Sequence, residues 1–203
     1  GPNTFTGDVA IDAGTLKLGS IFDSLKSSCR YQFAADDTRN FSFVNGSTTQ
    51  IATLKGAFGE ALNKDSGTYA EYVESDSDYF NGKPFIKFQS GQYSPTSKHY
   101  SSSSVFVYQK NTAASGNECL GYYKSDSNID YFYINGASWY LNNNGTQNAW
   151  ALFSDGAHST AFTVGKKSVV AIDKWMVSSA NREDHIGTSF NGAVAEACGF
   201  TTT

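Results

Sequence analysis

The sequence predicts an all-β protein, an antiparallel sandwich or barrel with few short helices, and three observations predict it. Short apolar runs alternate with a period of two, the pattern of a strand that buries one face. Turn dipeptides separate them: Asn45-Gly46, Asn81-Gly82, Asn135-Gly136, Asn144-Gly145, Asp155-Gly156 and Asn191-Gly192. Nineteen glycines against three prolines punctuate the chain often without excluding strands.

The elements follow in order. Val9 and Ile11, then Leu16 and Leu18, alternate in a stretch without aromatics, residues 6–20. An isolated segment of that kind buries little apolar surface, so it is expected to pair with another chain or to cap the main domain. Phe41 and Phe43 alternate. Residues 84–88 alternate only in part, with Ile86 and Phe88 on one face. Val105-Phe106-Val107-Tyr108 is β-branched and aromatic, as strands favour. Further runs cover residues 129–134, 138–141, 149–153, 161–164 and 169–172. Two stretches have helical spacing: Leu18, Ile21, Phe22 and Leu25, then Leu54, Ala57, Phe58, Ala61 and Leu62, the second weakened by Gly56 and Gly59. The reading is an N-terminal extension over residues 1–28 and one domain over 29–203. The opening Gly1-Pro2 reads as a scar of tag removal.

Composition excludes several functions. Charged residues are only 17% of the 203 positions, while Asn, Ser and Thr make up roughly 29%. Aromatics at 15% argue against disorder. Fifteen basic and 19 acidic residues give a net charge of −4 with no basic run, which disfavours nucleic acid. No apolar run approaches the roughly 18 residues of a membrane span. Cys29, Cys119 and Cys198 are odd in number and far apart, the pattern of unpaired, mostly buried thiols.

Two segments carry a family likeness. One is Tyr79-Phe80-Asn81-Gly82-Lys83-Pro84-Phe85-Ile86-Lys87-Phe88, with Gly91 and the strand from Val105 to Lys110 after it. The other is His185-Ile186-Gly187, then Phe190-Asn191-Gly192-Ala193-Val194-Ala195-Glu196. Over residues 30–200 the chain resembles concanavalin A-like (laminin G-like) jelly-roll domains, common in bacteriophage tail proteins, with Tyr31 to Asp37 as the first strand. The resemblance implies a jelly roll that serves as the carbohydrate-recognising tip of a tail fibre or similar receptor-binding protein. It implies bacterial surface glycans as partners, a place on the virion tail, and a homotrimer. Glu196 matches a recurrent acidic residue and is expected to satisfy backbone groups. A structural or trimerisation module and a glycan-cleaving enzyme remain as alternatives.

For glycan cleavage, Glu74, Asp76 and Asp78 would share a strand face, but Tyr79 stands where a second Glu belongs and the segment runs into a turn. For calcium, Asp126, Asn128 and Asp130 form D-x-N-x-D, an oxygen-rich opening of calcium loops; the laminin G-like resemblance adds weight to calcium as a cofactor. No G-x-S-x-G elbow marks a nucleophile, and His158 and His185 read as turn residues. For sugar binding, rings stack on the apolar faces of sugars while amides bond hydroxyls. Tyr131 and Tyr133 fall on one face of a strand, with Phe132 and Ile134 on the core face. Trp139 and Tyr140 follow in the next strand. The loop from Tyr93 to Tyr100, with His99, and the Asn142-Asn143-Asn144 loop are the expected rim. The candidate ligand residues are thus Tyr93, His99, Tyr100, Tyr131, Tyr133, Trp139, Tyr140 and Asn143.

Overall fold

The computed structural model describes residues 28–56, 58–95, 103–124, 129–143, 146–147, 152–154, 157–172 and 183–200. Strands are numbered in chain order: β1 (Cys29–Ala34), β2 (Phe41–Phe43), β3 (Ile51–Leu54), β4 (Leu62–Gly67), β5 (Glu71–Val73), β6 (Phe85–Gln89), β7 (Gly91–Pro95), β8 (Ser103–Gln109), β9 (Glu118–Lys124), β10 (Ile129–Asn135), β11 (Ser138–Asn143), β12 (Thr146–Gln147), β13 (Leu152–Ser154), β14 (Ala157–His158), β15 (Lys167–Ile172), β16 (Glu183–Ile186) and β17 (Asn191–Phe200). They form two antiparallel sheets packed as a sandwich. The eight-stranded sheet runs β14-β13-β15-β8-β17-β6-β5, with β1 beside the second half of β17. The nine-stranded sheet runs β12-β11-β10-β9-β16-β7-β4-β3-β2.

Alternation builds the core. In β8, Phe106 and Tyr108 are buried and reach across to the nine-stranded sheet. Phe106 stacks on Phe132 at 6.0 Å, and the Tyr108 ring meets Trp139 edge-on at 5.0 Å. Phe88 meets Tyr93 in the same way at 6.0 Å. Each such ring buried contributes about 1.5–3 kcal/mol by removal of apolar surface from water. Polar tips inside the core are paired: Trp139 Nε1 donates to the Tyr108 hydroxyl at 2.8 Å, and the Tyr93 hydroxyl donates to the Ile51 carbonyl at 2.6 Å and accepts from the Ala70 amide at 3.0 Å. The three cysteines are free thiols, Cys119 buried and Cys29 and Cys198 half-buried.

The partial alternation of residues 84–88 has a physical cause. Ile86 and Phe88 enter the main core, while Phe85 points to the opposite face and is buried there by Tyr79 and Phe80, at ring distances of 4.9 and 5.9 Å. Phe80, Asn81 and Gly82 all have positive φ (48°, 56° and 74°), so the Asn81-Gly82 turn is left-handed over three residues. A phenylalanine there costs roughly 1–2 kcal/mol. Burial of its ring and donation from its amide to Gln109 Oε1 at 2.7 Å offset that cost.

Three sequence expectations are corrected. In place of a helix over this stretch, Leu54 ends β3, Leu62 opens β4, and the two pair across the ladder; Ala57 lies outside the described residues. Gly56 and Gly59 lie so close to the backbone of Gln32 and Arg30 that a Cβ on either would overlap it, and the Glu60 amide donates to the Arg30 carbonyl at 2.7 Å. Contact with β1 therefore overrides a local helical preference. Residues 161–164 are no strand; Ala161 makes a single bridge to Ser138, and Val164-Gly165 turns. Asn191-Gly192 opens β17 rather than a turn, and Gly192 is small because the Phe190 ring lies against it. The first helical stretch, Leu18 to Leu25, lies outside the described residues, as do Val9, Ile11, Leu16 and Leu18.

Candidate functional site

The sugar-type residues gather on the outer face of the nine-stranded sheet. In the β10–β11 hairpin Phe132 and Ile134 face the core, fully buried, so the pleat turns Tyr131 and Tyr133 outward. Tyr133 stands opposite Tyr140 in the ladder, and their rings stack at 5.4 Å with an interplanar angle of 17°. Tyr133 is largely covered, Tyr140 half-buried, and Tyr131 exposed at 38%.

Register extends this face across the sheet. Tyr131 pairs with Asn142 of β11, and Asn142 with Gln147 of β12. In the other direction Tyr131 pairs with Tyr122 of β9, and Tyr122 with His185 of β16. One transverse line of ladder positions thus carries Gln, Asn, Tyr, Tyr and His across five strands.

Beyond β16 the line ends in a polar cluster. Gln92 of β7 is outward because its neighbour Tyr93 is inward. Its amide bonds the Asp65 carboxylate and lies 2.8 Å from His185 Nδ1. Asp65 is the extra residue of a bulge between Lys64 and Ser66, which swings its carboxylate toward Gln92 and to 3.8 Å from His185 Nδ1. Gln92 and His185 are buried, and the Asp65 side chain is half exposed. Sequence reading missed this cluster and took His185 for a turn residue; it belongs to β16.

Two predicted ligand residues are corrected. Tyr93 and Trp139 are at 0% exposure, inside the core, with the hydrogen bonds described above. They are inter-sheet struts, out of reach of a ligand. Tyr131, Tyr133 and Tyr140 are brought together. Asn143 and Asp130 stand opposite each other in the β10–β11 ladder, placed by their backbones alone. His99, Tyr100, Asp126 and Asn128 lie outside the described residues. Among the described residues no three His, Cys, Asp or Glu side chains group to hold a metal ion. Glu74 to Asp78 is a loop after β5, where Asp76 accepts from the Asp78 amide at 2.9 Å, so its carboxylates do not line one strand. Glu196 is exposed rather than buried against backbone groups. Among the described residues no helix is long and apolar enough to cross a membrane.

No protein-family model matches this chain, and neither a curated protein nor a solved structure does.

Proposed function

We propose that this chain recognises carbohydrate, without cleaving it, on the outer face of its nine-stranded sheet. The reading extends to a concanavalin A-like jelly roll at the tip of a phage tail fibre or similar receptor-binding protein, with bacterial surface glycans as the ligand. One observation carries it: the exposed Tyr131 beside the stacked Tyr133–Tyr140 pair, on the same face as the Asp65–Gln92–His185 cluster. Flat apolar rings on one face with fixed donors and acceptors are what a pyranose needs, since it offers an apolar C–H face and a rim of hydroxyls.

The test is binding to an array of bacterial surface glycans, in calcium and then in chelator. Selective binding that falls at least tenfold in Tyr131→Ala or Tyr140→Ala supports the reading; loss in chelator adds calcium, with Asp126, Asn128 and Asp130 as the residues to replace. Binding unchanged in both tyrosine variants, or no binding by folded protein, overturns it. Shortening of the glycan with time would instead make the protein an enzyme. A fibre tip is expected to be a homotrimer, and light scattering that returns a monomer at micromolar concentration removes that part.

A further inference from the structure

The opposite outer face, that of the eight-stranded sheet, carries a groove that the glycan reading does not use. It consists of two adjoining hollows of about 240 and 390 Å³ that share Val107 and Glu196. Together they fall in the size range of small-molecule sites, about 300–1,000 Å³.

The smaller hollow is apolar. Its floor is formed by Val105 and Val107 of β8 with Ala197, Cys198 and Phe200 of β17, and β1 borders it with Cys29 and Gln32. Phe58 closes one side. That wall is built rather than incidental: Gly56, Gly59 and the Glu60 amide lie against β1, and only residues without a Cβ allow the approach at the two glycines. Burial pushes the Cys198 thiol up to about 12 and also raises that of Cys29, so both behave as neutral, apolar groups.

The larger hollow is rimmed by charge. Asp36, Lys83, Lys167 and Glu196 surround it, all four exposed, with Phe80 and Pro84 beneath. Two ammonium groups and two carboxylates face one space. A head of single charge would meet two repelling groups for every two attracting ones. An uncharged head rich in hydroxyls satisfies all four, donating to the carboxylates and accepting from the ammoniums.

We infer that this groove binds an amphiphile made of one short alkyl or acyl chain on an uncharged polyhydroxylated head, the chain lying between Phe58 and β8 and the head among Asp36, Lys83, Lys167 and Glu196. The site is separate from the tyrosine face and stands or falls independently of it.

The probe is octyl β-glucoside below its micellar concentration, measured by calorimetry, with methyl glucoside and octyl sulfate alongside. Saturable one-to-one binding is expected, at least tenfold weaker for methyl glucoside and for octyl sulfate. Bound probe slows alkylation of Cys198 and Cys29 by iodoacetamide at least threefold, read by peptide mass. Val107→Arg, at a half-buried outward position, abolishes binding; should it fail to fold, the exposed Lys167→Glu variant lowers affinity at least fivefold. Absence of saturable binding, or retention of it in these variants, overturns the site. Octyl sulfate binding as well as the glucoside overturns the assignment of the head, and methyl glucoside binding equally overturns that of the chain.

Discussion

The two sheets are pinned at one end by an ion pair whose removal has a calculable cost. Lys110, just after β8, and Glu118, at the start of β9, belong to different sheets, and their side chains are 1% and 6% exposed. Lys110 Nζ lies 2.8 Å from Glu118 Oε2, and donates to the Asn191 carbonyl at 2.7 Å and to Thr112 Oγ1 at 3.0 Å. Glu118 accepts from the Ser115 amide at 3.0 Å and the Asn191 amide at 3.1 Å. Asn191 opens β17, so the cluster ties β8, β9 and β17 together. Lys110→Met keeps most of the stem volume and leaves the carboxylate buried against two amides alone. Removal of one partner of a buried pair costs about 3–5 kcal/mol. At roughly 2–4 °C per kcal/mol for a chain of this size, Tm falls by about 6–20 °C. Urea melts followed by tryptophan fluorescence measure the loss of free energy, and a thermal melt measures the fall in Tm. Adding Glu118→Gln removes the orphaned charge, so the double variant loses less than the sum of the singles, with a coupling energy of about 1–3 kcal/mol. Arg39→Ala is the control. Its guanidinium bonds Asp37 at 2.7 and 2.8 Å but is exposed to solvent, and its loss leaves the midpoint within experimental scatter. A Lys110→Met protein within about 1 kcal/mol of the parent would refute the claim that a desolvated pair holds the sheets in register.

Other expectations follow from the same contacts. Gly187 has a φ of 81°, and a Cβ there would overlap the Phe88 ring and the Gly91 carbonyl; Gly187→Ala should cost about 2–5 kcal/mol in a denaturant melt, and a neutral result would show that this corner relaxes. Trp139→Phe removes the donor to the Tyr108 hydroxyl and part of the stack on Phe132 at 4.3 Å, a loss of about 2–4 kcal/mol in the same assay. Burial raises Cys119 and Cys198 to about 12 from 9.0, and Tyr93 to about 12 from 10.0. The unfolded chain loses these protons first, so their contribution is complete below pH 9 and is lost as pH rises toward 12. Each fully titrating group adds at most about 1.4 kcal/mol per pH unit to the decline. Thermal melts between pH 8 and 11 should show it, and a flat Tm over that range would rule it out.

The sheet architecture was legible because strand signals are local. Phe132 and Ile134 against Tyr131 and Tyr133 sort to two faces by parity alone, and the structure sorts them so. Where parity failed, a contact distant in sequence was responsible. Phe85 breaks the pattern of its strand because the left-handed turn at Phe80 covers the outer face, and the turn is held by Gln109. The spacing of Leu54 and Leu62 imitates a helix, yet what decides that segment is the approach of β1, which leaves its trace only as Gly56 and Gly59.

The site shows the same limit from the functional side. Aromatic residues at alternating positions announce a face but not which face of the next strand joins it: only the pairing of Ile134 with Trp139 puts the indole on the core side, and that of Tyr133 with Tyr140 puts Tyr140 outside. The polar cluster is harder still. Asp65, Gln92 and His185 come from three strands, with sequence separations of 27 and 93 between bonded partners. No spacing rule links them, and Asp65 reaches Gln92 only because a bulge inserts it into β4. The residues that give this face its chemistry are therefore set by which strands lie side by side, β4, β7 and β16, and that order is a property of the assembled sheet rather than of any segment within it.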